Sequence, residues 1–391
     1  MQSSLHTSDS LPAVAVYGGI SLLRPIDKTD LKCHALAHSN SNLIRYSRLT
    51  ESFTKLPSRE AGADEVLQAL VKFARNFETR PVLFYGVDQT MRFISDHRDK
   101  LDDYFRFLMP TKPVLDVCSQ KNKFNKMAEG LSVDYPKSII VQKMQDLDAL
   151  YRIKPPYVLK PDKTSNQGAI SKIAAIRTQK ALIARSNDQV VEFAELLLKR
   201  DVDFIVQELV AGGEQNIFSY HAFNDEQFRP LGSFVGRKIR TYPSFGGRST
   251  CVTLINDEEV SETGRRIAAE IGIAGPIKLD FKRDAQSGKL YIIEANPRFT
   301  LWNHLGAECG VNLALVAYQY LSEVPVSEYH SYRTDRHWIT FADDLRSHME
   351  RHSGRLWSVA SYPFQRKNAV SHVFALNDPL PFLVAMKRLV F

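Results

Sequence analysis

Acidic and amide side chains cluster near residue 290 in a pattern that could do chemistry. Tyr291 to Phe299 reads YIIEANPRF, and Gly275 to Phe281 reads GPIKLDF. The turn-like Asp284–Gly288 lies between them, so the two stretches predict a hairpin with Asp280 on one strand and Glu294 on the next. Strand side chains alternate, so Lys278 and Asp280 share a face, as do Glu294 and Asn296. Two carboxylates and an amide oxygen then converge, a hard oxygen set that suits Mg²⁺ and the phosphates it carries. Pro297 ends the strand, and Arg298 follows with a guanidinium able to fork onto a carboxylate or phosphate. A solvated hairpin would carry similar charges, but their grouping on otherwise apolar strands favours a site.

Asp280 followed by Glu294-x-Asn296-Pro-Arg298 resembles the metal-binding signature of the ATP-grasp superfamily. Its members use ATP to activate a carboxylate as an acyl phosphate that an amine then attacks. The resemblance runs over roughly residues 13–320 and implies roles for further residues. Lys160, at the end of the apolar run PYVLK, would contact the α- and β-phosphates. Lys121, in SQKNKF, would lie near the phosphates too, although Gln120 stands where relatives carry Asp, and Lys123 or Lys126 could take its place. Residues 162–169 correspond to a phosphate-covering flap, with Gly168 its one glycine. Gln207, Glu208 and Val210 would sit against adenine at the hinge between two lobes, and Glu214 would hold the ribose hydroxyls. Lys238 and Arg240, read as sharing a strand face, would act on the γ-phosphate and acyl phosphate. Lys278, Lys238 or Arg298 would stabilise the equatorial oxygens. Asp88 is either a helix cap or a contact to the second substrate, and the cap is the simpler role. His304 is a substrate-facing candidate or a structural histidine.

The elements that must position these residues are legible in order. Residues 1–12 read as a disordered tail. Buried parallel strands are expected at 13–17 and 81–85, with a helix over 65–77 between them, so residues 13–118 form an open parallel α/β domain of the kind that precedes the ATP-grasp fold. A two-lobed α+β ATP-grasp domain is expected over 119–325, hinged near 207–214. It would contain strands at 138–141, 156–160, 203–210, 217–223 and 231–235, and helices at 190–199 and 258–271. Residues 326–391 form a C-terminal extension like those of ATP-grasp proteins linked to cell-surface polysaccharide or peptidoglycan-precursor chemistry. Its ending, PFLVAMKRLVF, has the composition of a membrane-surface helix, but a packed helix is the commoner outcome.

A chain of 391 residues with 44% hydrophobic content has room for several cores. Lysine and arginine number 51 against 44 acidic residues, a net charge of +7 that fits anionic small molecules. No zinc-finger or RNA-binding motif accompanies it, so no nucleic-acid partner is expected. The four cysteines are isolated and form no metal-ligand spacing, which suits a reducing cytoplasm. The start of the chain lacks the pattern of a signal peptide, and no run is long enough for a transmembrane helix. The expected function is thus that of an ATP-dependent carboxylate–amine ligase with small-molecule acid and amine substrates, using ATP and Mg²⁺ or Mn²⁺. A small-molecule kinase or a nucleotide-binding protein without turnover are the alternatives.

Overall fold

A computed structural model describes residues 11–29, 31–162, 181–244, 246–326, 328–351 and 368–390. Most of the expected tail and the expected flap lie outside the described residues. The described residues build three sheets. The first holds β1 (Val14–Tyr17), β2 (Cys33–Ala37), β3 (Thr50–Lys55) and β4 (Val82–Tyr85), all parallel in the order β3-β2-β1-β4. β1 and β4 are buried along their whole length because both faces are covered, which is why they read as unbroken apolar runs. The Ala63–Ala74 helix covers one face with Val66, Leu67, Leu70, Phe73 and Ala74. It starts and ends slightly before the expected helix.

The second sheet is antiparallel, with β5 (Ser138–Val141), β6 (Tyr157–Pro161), β7 (Leu182–Ala184) and β8 (Phe204–Glu208) in the order β5-β8-β6-β7. The Asn187–Leu198 helix backs it, and the Ser186 hydroxyl caps that helix by accepting from Gln189 N. The third sheet contains β9 (Ile217–Asn224), β10 (Pro230–Tyr242), β11 (Arg248–Leu254), β12 (Gly275–Arg283), β13 (Leu290–Asn296), β14 (His337–Ile339) and β15 (Ala369–Ser371), ordered β13-β12-β9-β10-β11-β14-β15. The Glu258–Ile271 helix packs behind it, starting at the Asp257 cap and ending at Gly272, whose φ of +79° suits glycine.

Two features were not expected. β10 continues to Tyr242 instead of stopping near Val235, because its second half pairs with β11. The segment after residue 326 does not stand apart: β14 joins β11, β15 joins β14, and the Phe341–Arg351 helix lies against β10 and β11.

The chain's last helix, Leu380–Val390, packs on the Leu43–Tyr46 turn of the first domain, with the Arg388 guanidinium bonded to Ser41 O. Leu380, Leu383 and Met386 on its other side are exposed. No helix among the described residues is long and apolar enough to cross a membrane.

Just before this helix the chain is fastened to the first domain by a buried ion pair. Arg24 Nη1 lies 2.8 Å from Asp378 Oδ2, and Arg24 also donates to Val373 O at 2.6 Å. Asp378 further accepts from the Ser47 hydroxyl at 2.6 Å and Arg48 N at 3.0 Å. Every partner is satisfied, so removing one leaves a buried charge uncompensated. Asp378→Ala should cost about 3–5 kcal/mol in denaturant unfolding, and a paired Arg24→Met, Asp378→Leu change should recover much of it. Beside the pair, burial and then the Arg24 charge push the His372 imidazole down to about 4. The unfolded chain binds the extra proton between about 4 and the ordinary 6.5, so stability falls as pH drops through that window. Melting curves from pH 7 to 4 should show a shallower decline for His372→Gln than for the native chain.

Candidate active site

The hairpin of β12 and β13 forms as its pattern dictates, with Lys278 opposite Asn296 and Asp280 opposite Glu294. The register then slips so that Phe281 faces Ile292, which leaves Ile293 as an extra residue on β13. Asp280 is 2% exposed and accepts from the Ser219 hydroxyl of β9. Lys278 Nζ lies 2.6 Å from Asp280 Oδ2 and 5.2 Å from the centre of the Trp302 ring. Glycine at 236 makes room for that ring, since a Cβ there would fall 2.7 Å from it. Burial opposes the Asp280 charge, but the Lys278 and Lys238 ammoniums outweigh it and hold the carboxyl below its ordinary range. Asn296 Nδ2 donates to Glu294 Oε1 at 3.1 Å.

In front of the hairpin lies a cavity of about 390 Å³ between the second and third sheets, reaching the first domain at one end. Asp280, Glu294, Asn296 and Arg298 line it, as do Lys121, Lys160 and Lys238. Gln207, Glu208, Val210 and Glu214 line it where β8 leads into the third sheet. Lys160 donates to Gln207 Oε1 at 3.2 Å, and Gln207 Nε2 donates to Pro136 O at 3.3 Å. Lys121 Nζ donates to Pro161 O at 2.7 Å, and Glu208 accepts from Lys154 N at 3.0 Å. Glu214 accepts from the Thr241 hydroxyl and from the Arg351 guanidinium. Residues far apart in the chain are thus brought to one cavity.

Several expectations need correction. Arg240 does not share a face with Lys238, because the ladder to β11 is irregular on either side of Arg240. Its guanidinium instead forks onto Asp344, with both bonds at 2.8 Å, away from the cavity lining. Lys278 also lies outside the lining, behind Asp280. Asp88 is no cap: the helix begins at Asp88 itself after Val87, and the carboxylate accepts from Arg298 Nε. His304 is buried beside Glu308, with Nε2 3.9 Å from Oε1, and does not line the cavity.

Lys282, outside the candidates drawn from the sequence, also lines the cavity. Its signal was present, since it stands two residues beyond Asp280 on an alternating strand. Burial, and then the Lys160 and Lys238 charges, push its ammonium down to about 8. Burial also lowers Lys160 and Lys238. Three ammoniums in one recess repel each other, and an anion placed among them would relieve that repulsion.

A divalent cation fits the hairpin. Among the described residues no three His, Cys, Asp or Glu side chains converge, so the ion would rest on two carboxylates, an amide and its ligand's own oxygens, the usual habit of Mg²⁺. The Lys278 ammonium, 2.6 Å from Asp280, helps keep this carboxylate ionised.

No model of a known protein family matches the sequence. A D-aspartate ligase from Enterococcus faecium (strain Aus0004) is 23% identical over 335 residues, covering 80% of this chain and 77% of the relative. Among solved structures, an N5-carboxyaminoimidazole ribonucleotide synthetase in complex with ADP superposes with a TM-score of 0.63 at 15% identity, over 90% of this chain and 88% of the other. An L-amino acid ligase from Bacillus licheniformis gives 0.62 at 13% identity, over 84% and 79%.

The lysine cluster gives a test. Lys282→Met should raise the melting midpoint of the nucleotide-free protein at pH 7, because it removes a buried charge repelled by its neighbours. The penalty is full below about 8 and fades as pH rises toward the ordinary 10.5, so the two proteins should converge there. Equal midpoints at pH 7 would contradict the packing of three charges. The likenesses to solved structures show the fold, a parallel α/β domain followed by an ATP-grasp fold.

Proposed function

We propose that the chain uses ATP to activate a carboxylic acid as an acyl phosphate and passes the acyl group to an amine, releasing ADP and phosphate. The observation that carries this reading is the charge layout of one cavity, where Lys160, Lys238 and Lys282 from three strands share the lining with Asp280, Glu294 and Asn296. A polyphosphate satisfies the lysines, and the hairpin supplies oxygen ligands beside it. In this reading residues 119–325 hold the nucleotide, and residues 13–118 close the acid-binding end.

Gln207, Glu208 and Val210 would face adenine, Glu214 the sugar hydroxyls, and Lys121 and Lys160 the inner phosphates. Asp280, Glu294 and Asn296 would hold Mg²⁺, which when bound neutralises phosphate charge and orients the terminal phosphoryl group. Lys238 and Lys282 add fixed positive charge where the transferred group's oxygens gather negative charge. Lys278 acts from behind, keeping Asp280 ionised and in place. A carboxylate oxygen of the acid attacks the terminal phosphorus, and ADP leaves with the electron pair of the broken P–O bond. The amine nitrogen then attacks the acyl carbon, phosphate leaves with the C–O pair, and the amine gives up a proton to solvent. Catalysis is mainly positioning and electrostatics.

Arg298 would hold the acid. Asp88 and Gly86 O already fix its guanidinium at the end of the cavity next to the first domain. Two similar proteins are a D-aspartate ligase and an L-amino acid ligase, and the paired Asp88 and Arg298 would offer an acceptor for an ammonium and a donor for a carboxylate. The four free thiols suit the reducing cytoplasm where ATP is abundant.

The test is an ADP-release screen over amino acid and amine pairs, with product mass spectrometry. With the correct acid, hydroxylamine should trap a hydroxamate. Glu294→Ala should lower ADP release at least about a hundredfold with little change in melting midpoint, since it removes a surface-facing ligand of the phosphate-bound ion. A stable phosphorylated product with neither hydroxamate nor amide would make the protein a kinase instead.

A further inference from the structure

The Phe341–Arg351 helix buries an unusual stripe. Asp344, Ser347 and His348 are its buried residues, and Arg351 continues the same face one turn on. A helix packed for stability alone buries apolar side chains there, because each buried polar group must find a partner. Here the partners of Asp344 and Ser347 lie on β10 and β11, and that of Arg351 lies in the turn before β9. Asp344 takes the fork of Arg240 and the Thr250 hydroxyl at 3.0 Å. Ser347 Oγ donates to Thr241 O at 2.8 Å. Arg351 donates to one oxygen of Glu214, and the Thr241 hydroxyl donates to the other.

Glu214 needs such support. It follows Gly212 and Gly213, and Gly212 has a φ of +104°, so the backbone leading into it is intrinsically permissive. An unsupported carboxylate there would lose side-chain freedom on meeting a ligand and bind it less well. Glu214 lines the cavity, and a carboxylate with about four lone-pair sites can accept from Thr241, from Arg351 and from a ligand. We propose that Arg351 is a positioning residue of the nucleotide site: with Thr241, it holds the Glu214 carboxylate facing the cavity, where it accepts from the two hydroxyls of the sugar. The Phe341–Arg351 helix thereby makes a segment from the end of the chain part of nucleotide recognition. This inference rests on the reading of Glu214 as the acceptor for the sugar.

The experiment measures calorimetric affinities of the full chain for ATP and 2′,3′-dideoxy-ATP with Mg²⁺ present. The native protein should prefer ATP by about tenfold, the scale of one or two charge-assisted hydrogen bonds. Arg351→Met should shrink that preference severalfold by weakening ATP while leaving the dideoxy nucleotide nearly unchanged, and Arg351→Lys should restore part of it. A merely structural role would weaken both nucleotides alike. If Arg351→Met does not fold, Thr241→Val removes a second support and should narrow the preference in the same way. A native preference that survives in the folded variants overturns the inference and leaves the Glu214 reading intact. A native protein that binds both nucleotides equally overturns the Glu214 reading and this inference with it.

Discussion

The ionised carboxylate of Asp280, buried between strands, is the constraint on which the rest of the site depends. A charge in that position is tolerated only when matched, and the match comes from Lys278 on its own strand, Ser219 on β9 and Lys238 on β10. Each of these needs a support of its own. Lys278 rests on Trp302, which fits against β10 because residue 236 is glycine. Trp302 in turn stacks on His221, whose imidazole burial keeps well below its ordinary range and therefore neutral. The charged face of the hairpin and the apolar core behind it are thus one structure.

The same core explains how the first domain becomes part of the site. One hydrophobic cluster runs from Val14, Val16 and Phe84 of the parallel sheet to Phe299, Trp302 and Leu305 just beyond the hairpin. Phe84 and Phe299 lie 5.1 Å apart between ring centres. Burying these side chains together brings the end of β4 beside the end of β13, and so places Asp88 against Arg298. The C-terminal segment closes the molecule from the other side, through the buried Arg24–Asp378 pair and through the polar stripe of the Phe341–Arg351 helix.

Much of this was legible because the signals are local. The strands of the first sheet read as apolar runs, the Glu258–Ile271 helix carries its cap and its terminating glycine, and the hairpin declares itself by alternation and a turn. Local rules failed where a strand departs from regularity. Alternation puts Lys238 and Arg240 on one face, but the irregular ladder there turns Arg240 to Asp344. Asp88 looked like a cap because acidic residues cap helices, yet its partner is 210 residues away.

By itself the sequence determined the hairpin with its carboxylates and the order of the basic strands, because each depends on residue types at short, regular spacing. Only the tertiary structure decided which cations share a cavity, that Lys282 joins Lys160 and Lys238, that Lys278 and Arg240 stay outside, and that Arg351 reaches Glu214. The physical reason is that these arrangements follow from strand order, ladder irregularities and the burial of distant apolar surfaces against each other. Such features depend on long-range pairing, and no periodicity within a single segment encodes them.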